Sequence, residues 1–178
     1  MSRPAGPGAV AGEVLARLSA LGQTVATAES LTGGMLSAAL VDVPGASGVF
    51  RGGLVVYATE LKAILAGVPQ DLLDRRGPVD GEVAAALASG AMRRCGADWG
   101  LATTGVAGPR PQDGHPVGTV WIAVAGPAGV TTRRLAVPGD RGAIRAATVR
   151  AALGMLLELS APAQDRSATR LPSHDNVP

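Results

Sequence analysis

The sequence predicts an α/β layer fold, with a mixed sheet of about five strands and helices on both faces. Three observations predict it. Helical and strand patterns alternate through the first part of the chain. Two apolar runs joined by Gly-Pro-Ala-Gly at 126–129 come late and read as a β-hairpin, which adds antiparallel strands to an otherwise parallel sheet. The 178 residues suit one domain with a real core, placed at 9–160, and are too few for two.

Residues 1–8 are rich in Pro and Gly and are expected to fray. Val10, Val14, Leu18 and Leu21 then recur at helical spacing, and Gly22 ends that helix. Thr24–Ala28 is the first strand. A helix begins near Thr32, continues through Met35–Val41 and breaks at Pro44-Gly45. Leu54–Tyr57, following Gly52-Gly53, is the second strand. Thr59 is placed as the N-cap of a helix through Ala66, with Gly67 as its stop. Asp71–Arg76 is a short turn of helix. Asp80 caps a long helix with Glu82 in its first turn and Arg93-Arg94 in its last, charges that complement the dipole. Trp99–Thr104 is a strand leading into the glycine loop TTGVAGP. Val117–Ala125 and Val130–Val137 form the hairpin. Arg141–Leu159 is the last helix, with Ile144, Thr148, Ala151, Ala152, Met155 and Leu159 on one face. Residues 161–178 are polar and proline-containing and are expected to be a disordered tail.

Composition excludes several classes. Aromatics are only 2%, too few for the stacking platforms of single-stranded nucleic-acid binders. The formal charge is +2 and the arginines are scattered, so no nucleic-acid footprint emerges. The longest apolar run, Val117–Val130, is interrupted by Gly and Pro and falls short of the ~20 residues that span a bilayer. Cys95 is the only cysteine, and no secretory signal pattern opens the chain, so a soluble cytoplasmic protein is expected. GxGxxG and the Walker phosphate loop are both absent. Asp113 and His115 are too few for a metal site, and no cofactor is expected.

The chemistry gathers where strands end. In Thr24–Gly34, TVATAESLTGG, Ser30 stands between a strand and a helix N-terminus, where backbone N–H groups and the dipole favour negative charge. Serine needs a base. His115 lies in a Pro/Gly-rich loop and His174 in the tail, so a lysine is the alternative. All of the 16 basic residues are arginine save one, Lys62. A chain that uses arginine wherever plain charge is needed keeps lysine for a proton that must leave, or has one chance surface lysine. Lys62 sits early in its helix, where dipole and desolvation both disfavour an ammonium. Tyr57, the sole tyrosine, either hydrogen-bonds the Ser–Lys pair, stacks on a flat ligand, or simply closes the core. Glu29 reads either as a functional acid or, the favoured reading, as a carboxylate balancing nearby positive groups. Gly33, Gly34 and Gly105 permit close backbone approach to a ligand, though plain turn chemistry explains them equally. Thr104 shares that ambiguity. Arg141 and Arg145, four apart, share a helix face and suit either a phosphate clamp or a solvated surface. Trp99 and Trp121 read as core, and Cys95 as structural.

Four motifs in this order, VATAESLTGG, VVYATELKAILAGV, TTGVAGP followed by PVGTVWIAVA, and PGDRGAIR, resemble the CinA C-terminal domain family, the bacterial nicotinamide-nucleotide amidohydrolases. The resemblance runs from about Glu13 to Leu159. It implies a three-layer α/β/α sandwich that hydrolyses nicotinamide mononucleotide to nicotinate mononucleotide and ammonia, without a metal and through a Ser/Lys pair falling on Ser30 and Lys62. Tyr57, Thr104 and Arg145 match further active-site positions, and Thr32, Gly33, Gly34 and Gly105 join the implied substrate contacts. A homo-oligomer is expected, as is common in the family. Leu31 replaces a frequent Cys. The loop Arg110-Pro111-Gln112-Asp113-Gly114 stands where relatives are glycine-rich, so contacts made by that loop are not carried over. Many relatives also carry a large N-terminal domain resembling molybdopterin-binding proteins; the expectation here is the stand-alone form. Two rival readings stay open: a nucleotide-binding module without turnover, and an amidase for another pyridine or amide.

Overall fold

Val25–Glu29 forms a strand buried at every position, as expected where helices cover both faces of a sheet. The computed structural model describes residues 7–161, so the segment expected to fray and the expected C-terminal tail lie almost wholly outside the described residues. In chain order the elements are α1 (Pro7–Ala20), β1 (Val25–Glu29), α2 (Met35–Val41), a short 3-10 turn (Ala46–Gly48), β2 (Phe50–Val55), α3 (Thr59–Ile64), α4 (Gln70–Arg76), α5 (Gly81–Cys95), β3 (Trp99–Gly105), β4 (Thr119–Gly126), β5 (Gly129–Ala136) and α6 (Arg141–Leu159). The strands make one sheet in the order β2-β1-β3-β4-β5. Strands β1, β2 and β3 run parallel, and β4 is antiparallel to both of its neighbours. This is the expected mixed sheet in a three-layer α/β/α arrangement. Among the described residues, no helix is long and apolar enough to cross a membrane.

The two faces of the sheet are built from different residues. Val25, Leu101, Val120, Ile122 and Val124 meet Val14, Leu18, Leu36, Ile144, Leu153 and Leu156 from α1, α2 and α6. The opposite face is mostly alanine, Ala26, Ala28, Ala102, Ala123 and Ala125, under α5. Small residues let α5 come close: a Cβ at Gly100 would lie 1.9 Å from the Ala88 carbonyl oxygen.

Several element ends shift by one to three residues from the sequence reading, such as β1 at Val25–Glu29 and α2 from Met35, and two differences matter for the site. The second strand is Phe50–Val55, so Gly52-Gly53 lie inside it and Tyr57 lies beyond its end. Gly53 pairs with Thr27 on β1, and a Cβ there would fall 2.3 Å from Ser37 Oγ and 2.5 Å from Thr27 Oγ1. The glycine marks a close approach of α2 rather than a break. Thr59 is the first residue of α3 and not its cap; Ala58 holds the extended cap conformation and α3 stops at Ile64. Asp80 does cap α5, accepting from the Glu82 amide at 2.7 Å, and the hairpin turns on Pro127-Ala128.

Candidate active site

Register brings the site together. Glu29 pairs with Val55 on one side and Thr103 on the other, so the three parallel strands end at one level. The residues that follow, Ser30, Val56-Tyr57 and Thr104, share the carboxyl edge of the sheet, where ligands of open α/β sheets bind. Thr119 opens β4 opposite Ala136, the last residue of β5. The loop between β3 and β4 and the start of α6 therefore reach the same rim.

The Ser30 turn is held from several sides. The Ser30 amide donates to Thr103 O at 3.0 Å, and the Gly33 amide donates back to Ser30 O at 3.0 Å. Gly33 and Gly34 have φ of 56° and 95°, left-handed values that only glycine takes easily, and α2 starts after them. Thr32 Oγ1 pairs with Thr103 Oγ1 at 2.8 Å, both fully buried. Glu29, at 0% exposure, accepts from the amides of Gly34, Leu36 and Ser37 and from Ser37 Oγ, at 2.6–3.0 Å. Its partners are thus the orphan donors of a helix N-terminus and not a cation, which corrects the reading of Glu29 as a charge balance.

Lys62 is 1% exposed and Ser30 8%. Lys62 Nζ lies 3.2 Å from Ser30 Oγ, 2.9 Å from Val56 O and 3.4 Å from Tyr57 O. Burial pulls its pKa down from 10.5 to about 8, with Glu60 opposing the change. Desolvation is the cause; α3 is six residues long and places Lys62 in its last turn, so the dipole argument does not apply. The same three contacts would let a neutral amine give its two hydrogens to the carbonyls and accept from the serine hydroxyl.

The pair lies in a cavity of about 190 Å³. Tyr57, Thr59, Pro78, Val79, Thr104, Gly105, Arg110, Gln112 and Arg141 complete most of its wall, and among the described residues no Asp or Glu lines it. Arg141 Nη1 donates to Gly108 O at 2.8 Å and Nη2 to Tyr57 Oη at 3.0 Å, a strap across the mouth. Tyr57 thus offers its carbonyl to Lys62 and its exposed ring to the mouth. Thr104 Oγ1 donates to Pro78 O at 2.6 Å and still borders the cavity, as does Gly105, where a Cβ would fall 2.5 Å from Thr119 O. Thr32, Gly33, Gly34 and Arg145 stand outside the lining and support the Ser30 turn from behind. Sequence spacing put Arg141 and Arg145 on one face without separating their tasks. A signal was available: Arg141 is the first helical residue after a strand that ends at this rim, and Arg145 lies one turn farther from the opening.

The profile of the CinA C-terminal domain matches residues 8–160. A CinA-like protein of Frankia casuarinae is 52% identical over 150 residues, covering 84% of this chain and 35% of that protein. A CinA-like protein of Myxococcus xanthus is 46% identical over 162 residues, covering 87% and 38%. The chain spans about a third of the length of these curated relatives. Among solved structures, the competence/damage inducible protein CihA of Agrobacterium tumefaciens superposes with a TM-score of 0.85 at 36% identity, covering 90% of this chain and 100% of that one. A CinA superfamily protein of Enterobacter cloacae gives a TM-score of 0.86 at 28% identity, covering 90% and 96%.

Proposed function

The chain belongs to the CinA C-terminal domain family, and from that premise and its cavity we propose that it is a serine amidohydrolase that converts nicotinamide mononucleotide and water to nicotinate mononucleotide and ammonia. One observation carries the reading: a buried lysine with a lowered pKa stands 3.2 Å from a buried serine hydroxyl at the floor of a cavity without carboxylates.

Neutral Lys62 takes the Ser30 proton as Oγ bonds to the carboxamide carbon. The tetrahedral intermediate collapses by breaking its C–N bond, and the Lys62 ammonium returns the proton to the departing nitrogen, which leaves as ammonia. Water then attacks the acyl ester with Lys62 as base. The C–Oγ bond breaks, the acid is freed and Ser30 regains its proton. An amide hydrogen bond to the oxyanion is typically worth ~3–4 kcal/mol. The Gly33 and Gly34 amides are already engaged, with Ser30 O and Glu29. The Leu31 amide, directly after the nucleophile and at the cavity wall, is the donor best situated for this task. Arg141 and Arg110, with no carboxylate among the lining residues, suit the phosphate, and the Tyr57 ring suits a flat pyridine.

Ammonia release tests this, with nicotinamide mononucleotide set against free nicotinamide and the intact dinucleotide. Turnover of the mononucleotide in strong preference to both is the expected result. Binding without ammonia would make the domain a nucleotide-binding module, and release from another pyridine amide alone would replace the substrate.

A further inference from the structure

Arg145 carries two strong hydrogen bonds and none of the cavity wall. Its Nε donates to Leu31 O at 2.9 Å and its Nη2 to Thr32 O at 2.7 Å. Both acceptors belong to the residues that directly follow Ser30. In a planar trans peptide the N–H points opposite to the carbonyl that precedes it, so fixing a carbonyl also aims an amide. The bond to Leu31 O sets the direction of the Thr32 N–H. The bond to Thr32 O sets the direction of the Gly33 N–H, which donates to Ser30 O. The held Ser30 carbonyl in turn aims the Leu31 N–H, the amide beside the nucleophile. Gly33 suits this arrangement: a Cβ at its position would lie 3.4 Å from Arg145 Nη2, on a backbone at φ 56°. The guanidinium holds two successive carbonyls from two separate nitrogens, Nε and Nη2, in a fixed planar fork that an ammonium lacks.

We infer that Arg145 is a positioning residue: it clamps the Leu31–Thr32 and Thr32–Gly33 peptide groups and, through the Gly33 amide on Ser30 O, aims the Leu31 amide as an oxyanion donor, leaving phosphate recognition to the arginines at the mouth. The inference rests on the reading of Ser30 as the nucleophile. It goes beyond that reading by giving the last helix a part in catalysis without a contact to substrate.

The test compares Arg145→Met and Arg145→Lys with the wild-type chain. With nicotinamide mononucleotide, Arg145→Met should lower kcat about 100-fold, the cost of a small misplacement of reacting groups, and move KM less than about twofold. Arg145→Lys should fall between. In Arg145→Ala, added guanidinium ion at low millimolar concentration should restore part of kcat, which a merely structural role would not allow. Melting curves identify any variant that fails to fold, and the rescue experiment then decides on the folded remainder of the set. A rise in KM with kcat retained would overturn the proposal, because a substrate ligand behaves that way. Wild-type kcat in Arg145→Met would also overturn it.

A second readout is independent of the substrate: the rate at which a fluorophosphonate labels Ser30, followed by intact mass, since that reaction passes through a similar anionic centre. Labelling at least about tenfold slower in Arg145→Met supports the clamp even if the wild type releases no ammonia from the mononucleotide, in which case only the substrate assignment fails. Equal labelling rates overturn the clamp. An unlabelled, inactive wild type overturns the clamp and the nucleophile together.

Discussion

Two neighbouring regions each take one charged side chain into the interior, and they treat it in opposite ways. At the start of α2, the Glu29 carboxylate receives three backbone amides and a serine hydroxyl, all within 3.0 Å. At α3, the Lys62 amine finds two carbonyls and a serine, with no carboxylate in hydrogen-bond contact. The carboxylate meets donors that any helix N-terminus must satisfy somehow, so its charge is used to complete the fold. The amine meets too little negative charge to offset its desolvation, and burial favours the neutral form. A buried charge whose lone pairs or protons are all matched is structural. One left partly matched, beside a hydroxyl and a cavity, is available for proton transfer.

The largest expected effect breaks the second region. Ser30→Ala and Lys62→Met should each lower ammonia release by roughly 10⁴-fold or more. Lys62→Met should at the same time raise the stability near neutral pH by about 2 kcal/mol, because it removes a desolvated charge while leaving two carbonyls short of a donor. Denaturant unfolding at pH 7 checks the sign. The opposite sign is expected in the first region. Glu29→Gln turns an amide NH₂ toward amide donors and should cost about 3 kcal/mol, the loss of charge-assisted bonds in a buried place. A stability change below about 0.5 kcal/mol would mean that Glu29 does not hold α2. At the mouth, Arg141→Gln should raise KM for the mononucleotide about 30-fold with little change in kcat, and should leave any slow reaction of free nicotinamide unaffected.

The fold was legible because its signals are local and repeated. The 3.6-residue period of α1 and α6, the cap at Asp80, and the turn at Pro127-Ala128 all agree with the packed structure. The lone lysine also singled out the side chain that the structure sets 3.2 Å from Ser30 Oγ. What was illegible depends on closeness between distant segments. Gly53 looks like a breaker until Ser37 and Thr27 are seen on top of it. Glu29 looks like a counter-ion until the amides of α2 are placed around it. Arg145 looks like a ligand for phosphate until two carbonyls more than a hundred residues away occupy it. Spacing along a helix tells which residues share a face; it does not tell which turn of that helix stands over the opening and which stands behind Ser30.

The smallest expected effect sharpens the comparison by following Lys62 through its titration. In the proposed mechanism the neutral amine is the active form, and burial lowers its pKa to about 8. Below that pH, kcat/KM should rise about tenfold per unit, and above it the rate should level, giving an ascending limb with an apparent pKa near 8. Lys62→Arg keeps the charge but cannot lose its proton in this range, so it should be inactive at every pH and show no limb. Stability should follow the same group with a determinate sign. In the unfolded chain the lysine titrates near 10.5, and in the folded chain near 8. Between those values the unfolded state binds more protons, so stability rises with pH across that window. Below about 8 both states hold the proton and the burial cost is present in full, about 3 kcal/mol. The stability difference between wild type and Lys62→Met should therefore be constant below about pH 8 and shrink from there toward 10.5. A difference that stays constant through the alkaline window would mean that the folded lysine keeps an ordinary pKa, and the contrast with Glu29 would lose its physical basis.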